Sequence, residues 1–227
     1  MTVLLPFSTG GDRITEQRPV TMAAGAMHFF ALNTGLRNNV VHVRAQQAAP
    51  GQQELIRSGA VRAIPPRDAA VALQAEGFRL LDIRPAWEHS KARVAGALHV
   101  PFFVEDTDGT LLTLLKKWVH FGYIGLWTGQ LLTTINEGFL TEVEVLVPNK
   151  DDKILVACGE GLRSMIAVRV LHEGGYKNLG WLAGGFNRAG DSDFPKVEGT
   201  MKLQYATVGG VSYIFLQLLI LLKVFKD

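Results

Sequence analysis

The stretch DKILVACGEGLRSMIAVRVLHEGG, residues 152–175, constrains the fold more than any other. Residues 152–158 read as a strand, opened by aspartates and ending at Cys158. Residues 164–175 read as a helix closed by glycines. The turn between them carries Gly159 and Gly161. A strand feeding a helix through so short a turn is the unit from which parallel sheets are built. The same alternation precedes it. Residues 65–77 read as a helix, with Pro66 in the first turn, Asp68 at the N-terminal end and Gly77 just past the C-terminus. Residues 78–84 follow as a strand, 85–96 as a loop or short helix, and 97–101 as a second short strand. A further strand falls within 177–185. The expected class is α/β, with a central parallel sheet flanked by helices.

Composition bounds the alternatives. At 227 residues and 48% hydrophobic, the chain can bury one sizeable core but not two. Its lone cysteine excludes an intrachain disulfide and any multi-cysteine metal site. His89, His99, His120 and His172 show no ligand spacing, so neither a metal nor another cofactor is expected. No dense basic patch with interleaved aromatics occurs, which argues against nucleic acid as a partner.

The ends differ from the middle. Residues 1–53 contain no lysine, and from Gln17 to Gln53 there is no acidic residue, while Arg18, Arg37 and Arg44 punctuate the segment. Arginine-bearing, acid-poor N-termini are characteristic of organelle transit peptides. Residues 1–44 are expected to be a plastid transit peptide, cleaved near Arg44 or Ala45 within VHVRAQ, and residues 45–63 a linker. The folded domain is expected over 64–195, with an aromatic insert at about 106–147. Inside that insert, Trp118 to Asn136 carry no Asp, Glu, Lys or Arg. Its interspersed glycines and threonines fit a lid or an interface-seated element better than a membrane span. At the C-terminus, LQYATVGGVSYIFLQLLILL lies between Lys202 and Lys223. About twenty apolar residues suffice for a helix to cross a bilayer, so residues 203–222 are expected to form an apolar membrane helix.

The chemistry sits in CGEGLRS, residues 158–164. A cysteine at a strand end, then a glycine-bearing loop, then a helix N-terminus makes an anion cradle, because backbone N–H groups and the helix dipole converge on one point. Gly159 and Gly161 allow the tight turn, Glu160 and Leu162 complete the loop, Arg163 offers guanidinium donors and Ser164 fits an N-cap. Cys158 is read as a nucleophile and Arg163 as its catalytic partner.

CGEGLRS resembles the active-site loop of rhodanese-like sulfurtransferases, a Cys-x-x-Gly-x-Arg-Ser pattern. LLDIRPAWEHSKARVAGALHVP, residues 80–101, is similar to the family's upstream block, with Asp82, Arg84, Glu88, Gly96, Ala97 and Pro101 matching. WLAGGFNRAG, residues 181–190, resembles its Gly-Gly segment. The C-terminal extension and the insert further resemble the chloroplast branch of plants and algae. Arg93 stands where the family often has histidine, and Glu160 stands where thiosulfate users tend to carry a base.

The resemblance implies a rhodanese-like fold and a sulfurtransferase or persulfide carrier. Sulfur would pass through Cys158 to an external thiol or other acceptor. Gly159, Glu160, Gly161, Leu162, Ser164, Asp82 and Arg84 would bind substrate, Asp82 and Arg84 by shaping the site. The chloroplast, and its thylakoid membrane, is the implied location, with lipid and a membrane protein as further partners. Two rivals stand beside this reading. Phosphatases of the same fold use Cys-x5-Arg, one residue longer than the Cys158–Arg163 loop. A catalytically silent, membrane-anchored docking scaffold is the other.

Overall fold

A computed structural model describes residues 50–224, and the expected transit peptide lies outside them. Five parallel strands form the central sheet, in the order β1-β8-β7-β2-β4. They are β1 (Val61–Ile64), β2 (Arg79–Asp82), β4 (Leu98–His99), β7 (Lys153–Ala157) and β8 (Asn178–Leu182). The expected α/β class with a parallel sheet is what the chain forms. Along β7 the pleat sends Ile154 and Val156 to one face and Leu155 and Ala157 to the other. Each face builds its own core. On one side Cys158 packs with residues of α6 (Phe139–Leu146) and α7 (Leu162–Glu173). On the other, α2 (Pro66–Gln74), Phe186, Phe194 and Leu203 close the layer.

Two expected boundaries move. The linker expected over residues 45–63 is folded from Pro50 onward. Helix α1 (Pro50–Arg57) leads into β1, which pairs in parallel with β8 and buries Val61 and Ile64. A four-residue edge strand holds too few apolar positions for a period to show in sequence. At the other boundary, α6 lies inside the expected insert but buries Phe139 and Val143 in the main core. The insert proper hangs from an antiparallel hairpin, β5 (Phe103–Glu105) with β6 (Thr133–Ile135). Between them run α4 (Leu111–His120), a π-helical turn over Phe121–Gly125, and α5 (Leu126–Thr128). The Thr110 side chain caps α4 by accepting from the Thr113 N–H.

The membrane helix expected over 203–222 is corrected. Leu203 and Ala206 are buried under the sheet, which holds the first turn of that stretch to the domain. Gly209 and Gly210 then break the run, and α8 begins only at Gly210 and ends at Val224, 15 residues in all. At 1.5 Å per residue it reaches about 22 Å, short of the ~30 Å hydrocarbon thickness. Among the described residues no helix is long and apolar enough to cross a membrane.

Candidate active site

The sulfur of Cys158 lies where β7 ends and α7 begins, on the buried side of the loop. Gly161 N–H donates to it at 3.1 Å and Ser164 N–H at 3.3 Å. Gly161 is the residue before the helix, with φ of +92°, a conformation that favours glycine. Ser164 N–H is therefore one of the first-turn donors that a helix leaves without an internal partner. A side-chain oxygen usually takes that donor; here the cysteine sulfur does. The expected N-cap at Ser164 is corrected accordingly: Ser164 sits inside the first turn, and its hydroxyl accepts from the Cys158 thiol and donates to Gly161 C=O at 3.0 Å.

The loop is clamped from outside. Phe186 N–H and Asn187 N–H donate to the carbonyls of Cys158 and Gly159 at 2.9 and 2.8 Å. The Trp181 indole donates to Gly161 C=O at 2.8 Å. These bonds occupy the loop carbonyls, so its N–H groups stay turned toward sulfur.

Arg163 makes a two-pronged ion pair with Glu88, at 3.0 and 2.7 Å. Glu88 is fully buried while Arg163 is 26% exposed. Burial alone would lower the Arg163 pKa, but the hydrogen bonds and charge of Glu88 raise it, with Cys158 adding to the effect. The arginine thus faces the cleft with its charge largely balanced from behind.

Asp82 and Arg84 are placed elsewhere. Both are fully buried, and neither lines the cleft. The Arg84 guanidinium bonds Asp82 at 2.6 Å and Ala92 C=O at 2.7 Å, and lies 4.4 Å from the Phe186 ring centre. Burial alone would raise the Asp82 carboxyl; the Arg84 charge and hydrogen bonds from His89 and Arg84 outweigh it and hold it at about 2. Beside this pair, the rings of His89 and His99 stack at 3.8 Å. Burial lowers the His99 pKa, and its Nε2 donates to Arg84 C=O at 2.8 Å. This cluster braces the floor under the loop.

The sequence of residues 66–189 matches the family model for the rhodanese-like domain. The chain belongs to the rhodanese-like family. It is 58% identical to rhodanese-like domain-containing protein 10 of Arabidopsis thaliana over 178 residues, covering 78% of this chain and 83% of that one. It is 40% identical over 158 residues to rhodanese-like domain-containing protein 11, chloroplastic, of the same plant, covering 70% and 53%. Rhodanese-like domain-containing protein 9, chloroplastic, is 31% identical over 144 residues, covering 63% and 61%.

Above the rhodanese loop lies a cleft of about 530 Å³. Cys158, Glu160, Leu162 and Arg163 form its floor and near rim, and Glu160 and Leu162 are exposed there. The far wall was missed in the sequence. Thr128, Gln130 and Thr133 come from the insert, and Thr207, Val208 and Ser212 from the segment entering α8. Gln130 Nε2 donates to Thr207 C=O at 2.9 Å, and Thr207 Oγ1 donates to Asn187 Oδ1 at 2.9 Å. The Thr207 methyl lies over Gly159: a Cβ there would come within 2.3 Å of it. The VGGV of residues 208–211 was the available signal, since paired glycines argue against an unbroken helix. Glu88 was visible as a matching residue, but its pairing with Arg163 spans 75 positions and has no local signature. Arg93, in the position where histidine is common, pairs with Glu198 across the antiparallel ladder of β3 (Ala92–Val94) and β9 (Val197–Gly199).

Proposed function

We propose that this chain is a sulfurtransferase or persulfide carrier working through Cys158. The observation that carries the reading is the convergence of Gly161 N–H and Ser164 N–H on the Cys158 sulfur, buried just beneath the cleft that Cys158 helps line. Negative charge on that sulfur, or on a second sulfur bonded to it, meets fixed donors that need not reorganise. The Cys158 thiolate attacks the sulfane sulfur of a donor, forming a Cys158 S–S bond as the donor's bond to that sulfur breaks. The electron pair leaves with the donor remnant. An acceptor thiolate then attacks the outer sulfur, takes it as its own persulfide, and returns Cys158 as thiolate. The chain has one cysteine, so the acceptor is external.

Gly159 and Leu162 shape the entry to the sulfur, while Glu160 sets which donors enter. Arg163 is the cleft's formal cation and is already paired with Glu88, and Glu160 adds a negative charge at the rim. A doubly charged donor such as thiosulfate is disfavoured relative to a neutral or singly charged one. The domain extends from about residue 50 through the segment that completes the cleft wall. Its relatives with chloroplast names, and the arginine-bearing, acid-poor leader, support the chloroplast as its location. The exposed apolar helices support a place at the thylakoid membrane.

The test is intact mass of the full chain after incubation with thiosulfate or 3-mercaptopyruvate, wild type beside Cys158→Ser. The expected result is a cyanide-removable gain of one sulfur in wild type alone. A folded wild type with alkylatable Cys158 and no gain from either donor would favour the docking scaffold instead.

A further inference from the structure

The insert and α8 leave a large apolar surface uncovered, and its pattern is inverted. On α4, successive residues turn by about 100°. Thr113 is buried, and His120, near it on the wheel, reaches inward to Gln130 C=O at 3.0 Å. The opposite arc, about 140° wide by the same turn, carries Leu111, Leu114, Leu115, Trp118 and Val119. All five are exposed, Leu111 and Trp118 by 85% and 83%. Lys116 and Lys117 fall at the two edges of that arc. A water-facing helix would point this stripe at the core. From Ile214 onward, α8 likewise exposes Phe215, Leu218, Leu219, Leu221 and Leu222.

The charges identify the occupant. No Asp or Glu occurs from Gly109 to Asn136, nor from Gly199 to Lys226; lysine is the formal charge in both segments. Two copies set face to face would oppose Lys116 and Lys117 to their own images, with no carboxylate in either segment to pair them. An anionic lipid surface gives Lys116 and Lys117 the partners these segments lack, and aromatic rings such as Trp118, Tyr123 and Trp127 suit the headgroup boundary.

The two segments are one platform. A Cβ on Gly129 would come within 2.7 Å of Gly210 N, so the chain after α5 and the start of α8 touch backbone to backbone. The same crossing supplies Thr128, Gln130, Thr207 and Ser212 to the cleft wall. We propose that α4, α5 and α8 seat the protein on an anionic bilayer surface, lying in the interface without crossing it, so that the Cys158 cleft opens at the lipid plane. This rests on the sulfur-transfer reading only for what the cleft delivers there; the lipid seat stands on the surface alone.

Flotation of the full chain tests it, with vesicles of phosphatidylcholine alone and of an equal mixture of phosphatidylcholine and phosphatidylglycerol. Wild type is expected to float with the anionic vesicles at least about tenfold better than with neutral ones, and to be released by high salt. Lys116→Glu with Lys117→Glu, both on the surface, should abolish the preference. Leu115→Glu, Trp118→Glu and Leu219→Glu together should abolish flotation. Wild type that stays unbound to both vesicles would overturn the proposal. So would a triple variant that floats normally, or retention through high salt and alkaline washing. Sulfur loading of Cys158, measured without vesicles in each sample, separates the two readings. Wild type that floats but does not load sinks the chemistry alone, and a triple variant that loads but does not float supports the platform's separate role.

Discussion

The sheet domain and the collar formed by the insert and α8 treat burial in opposite ways. Around the Cys158 loop even formal charges are sealed from water: Asp82, Arg84 and Glu88 are fully buried, and each has a charged partner. Such groups are tolerated when they are paired with opposite charge; the Glu88 pairing fixes the Arg163 guanidinium and the loop it belongs to, while Arg84 Nη1 is left without a hydrogen-bond partner among the described residues. In the collar, leucines and tryptophans stand in water. Each forgoes roughly 1.5–3 kcal/mol that burial would return. The domain therefore spends its apolar surface on its own fold, while the collar keeps its own in reserve. A single cleft takes its floor from the first region and its far wall from the second.

The contrast breaks most directly at paired leucines. Leu155, fully buried in β7, should lose about 3 kcal/mol on replacement by alanine, whereas Leu115→Ala should stay within about 0.5 kcal/mol. Thermal or urea unfolding of the two variants measures both. Comparable losses would mean that the collar is packed in solution and is no free surface.

The junction offers a sharper probe. Gly159→Ala drives a Cβ against the Thr207 methyl, so the loop or the segment above it must shift. Overpacking of this kind costs about 1–3 kcal/mol. A loading rate for Cys158 reduced about tenfold is expected, with recovery in the Gly159→Ala, Thr207→Ser double variant, which lacks that methyl. A double variant no better than the single one would show that the collar does not bear on the Cys158 loop.

The smallest expected effect is a pH dependence confined to the buried side. Burial depresses the His99 pKa below its ordinary value, so the unfolded chain binds the proton more readily than the folded one. The stability from a neutral His99 is present above the ordinary value of about 6.5 and is lost as pH falls through that window. Unfolding midpoints of wild type should decline from pH 7.5 to 5.5, with a shallower decline for His99→Gln. Equal slopes would remove His99 from the account.

Much of the domain was legible because its signals are local. The alternation of strands and helices, the glycine turn after β7 and the pattern of CGEGLRS all lie within short stretches. Backbone geometry then leaves few ways to build them: a strand, a tight turn and a helix N-terminus bring N–H donors to the cysteine wherever they occur. Tertiary structure alone decided the rest. It turned Asp82 and Arg84 inward, to each other, and set Glu88 behind Arg163. It also packed Leu203 and Ala206 under the sheet and folded residue 207 over residue 159. Those outcomes depend on which distant groups meet, and on whether an apolar stripe finds a core to cover it. Hydrophobicity read along a chain records that a residue avoids water, but not what it will be buried against.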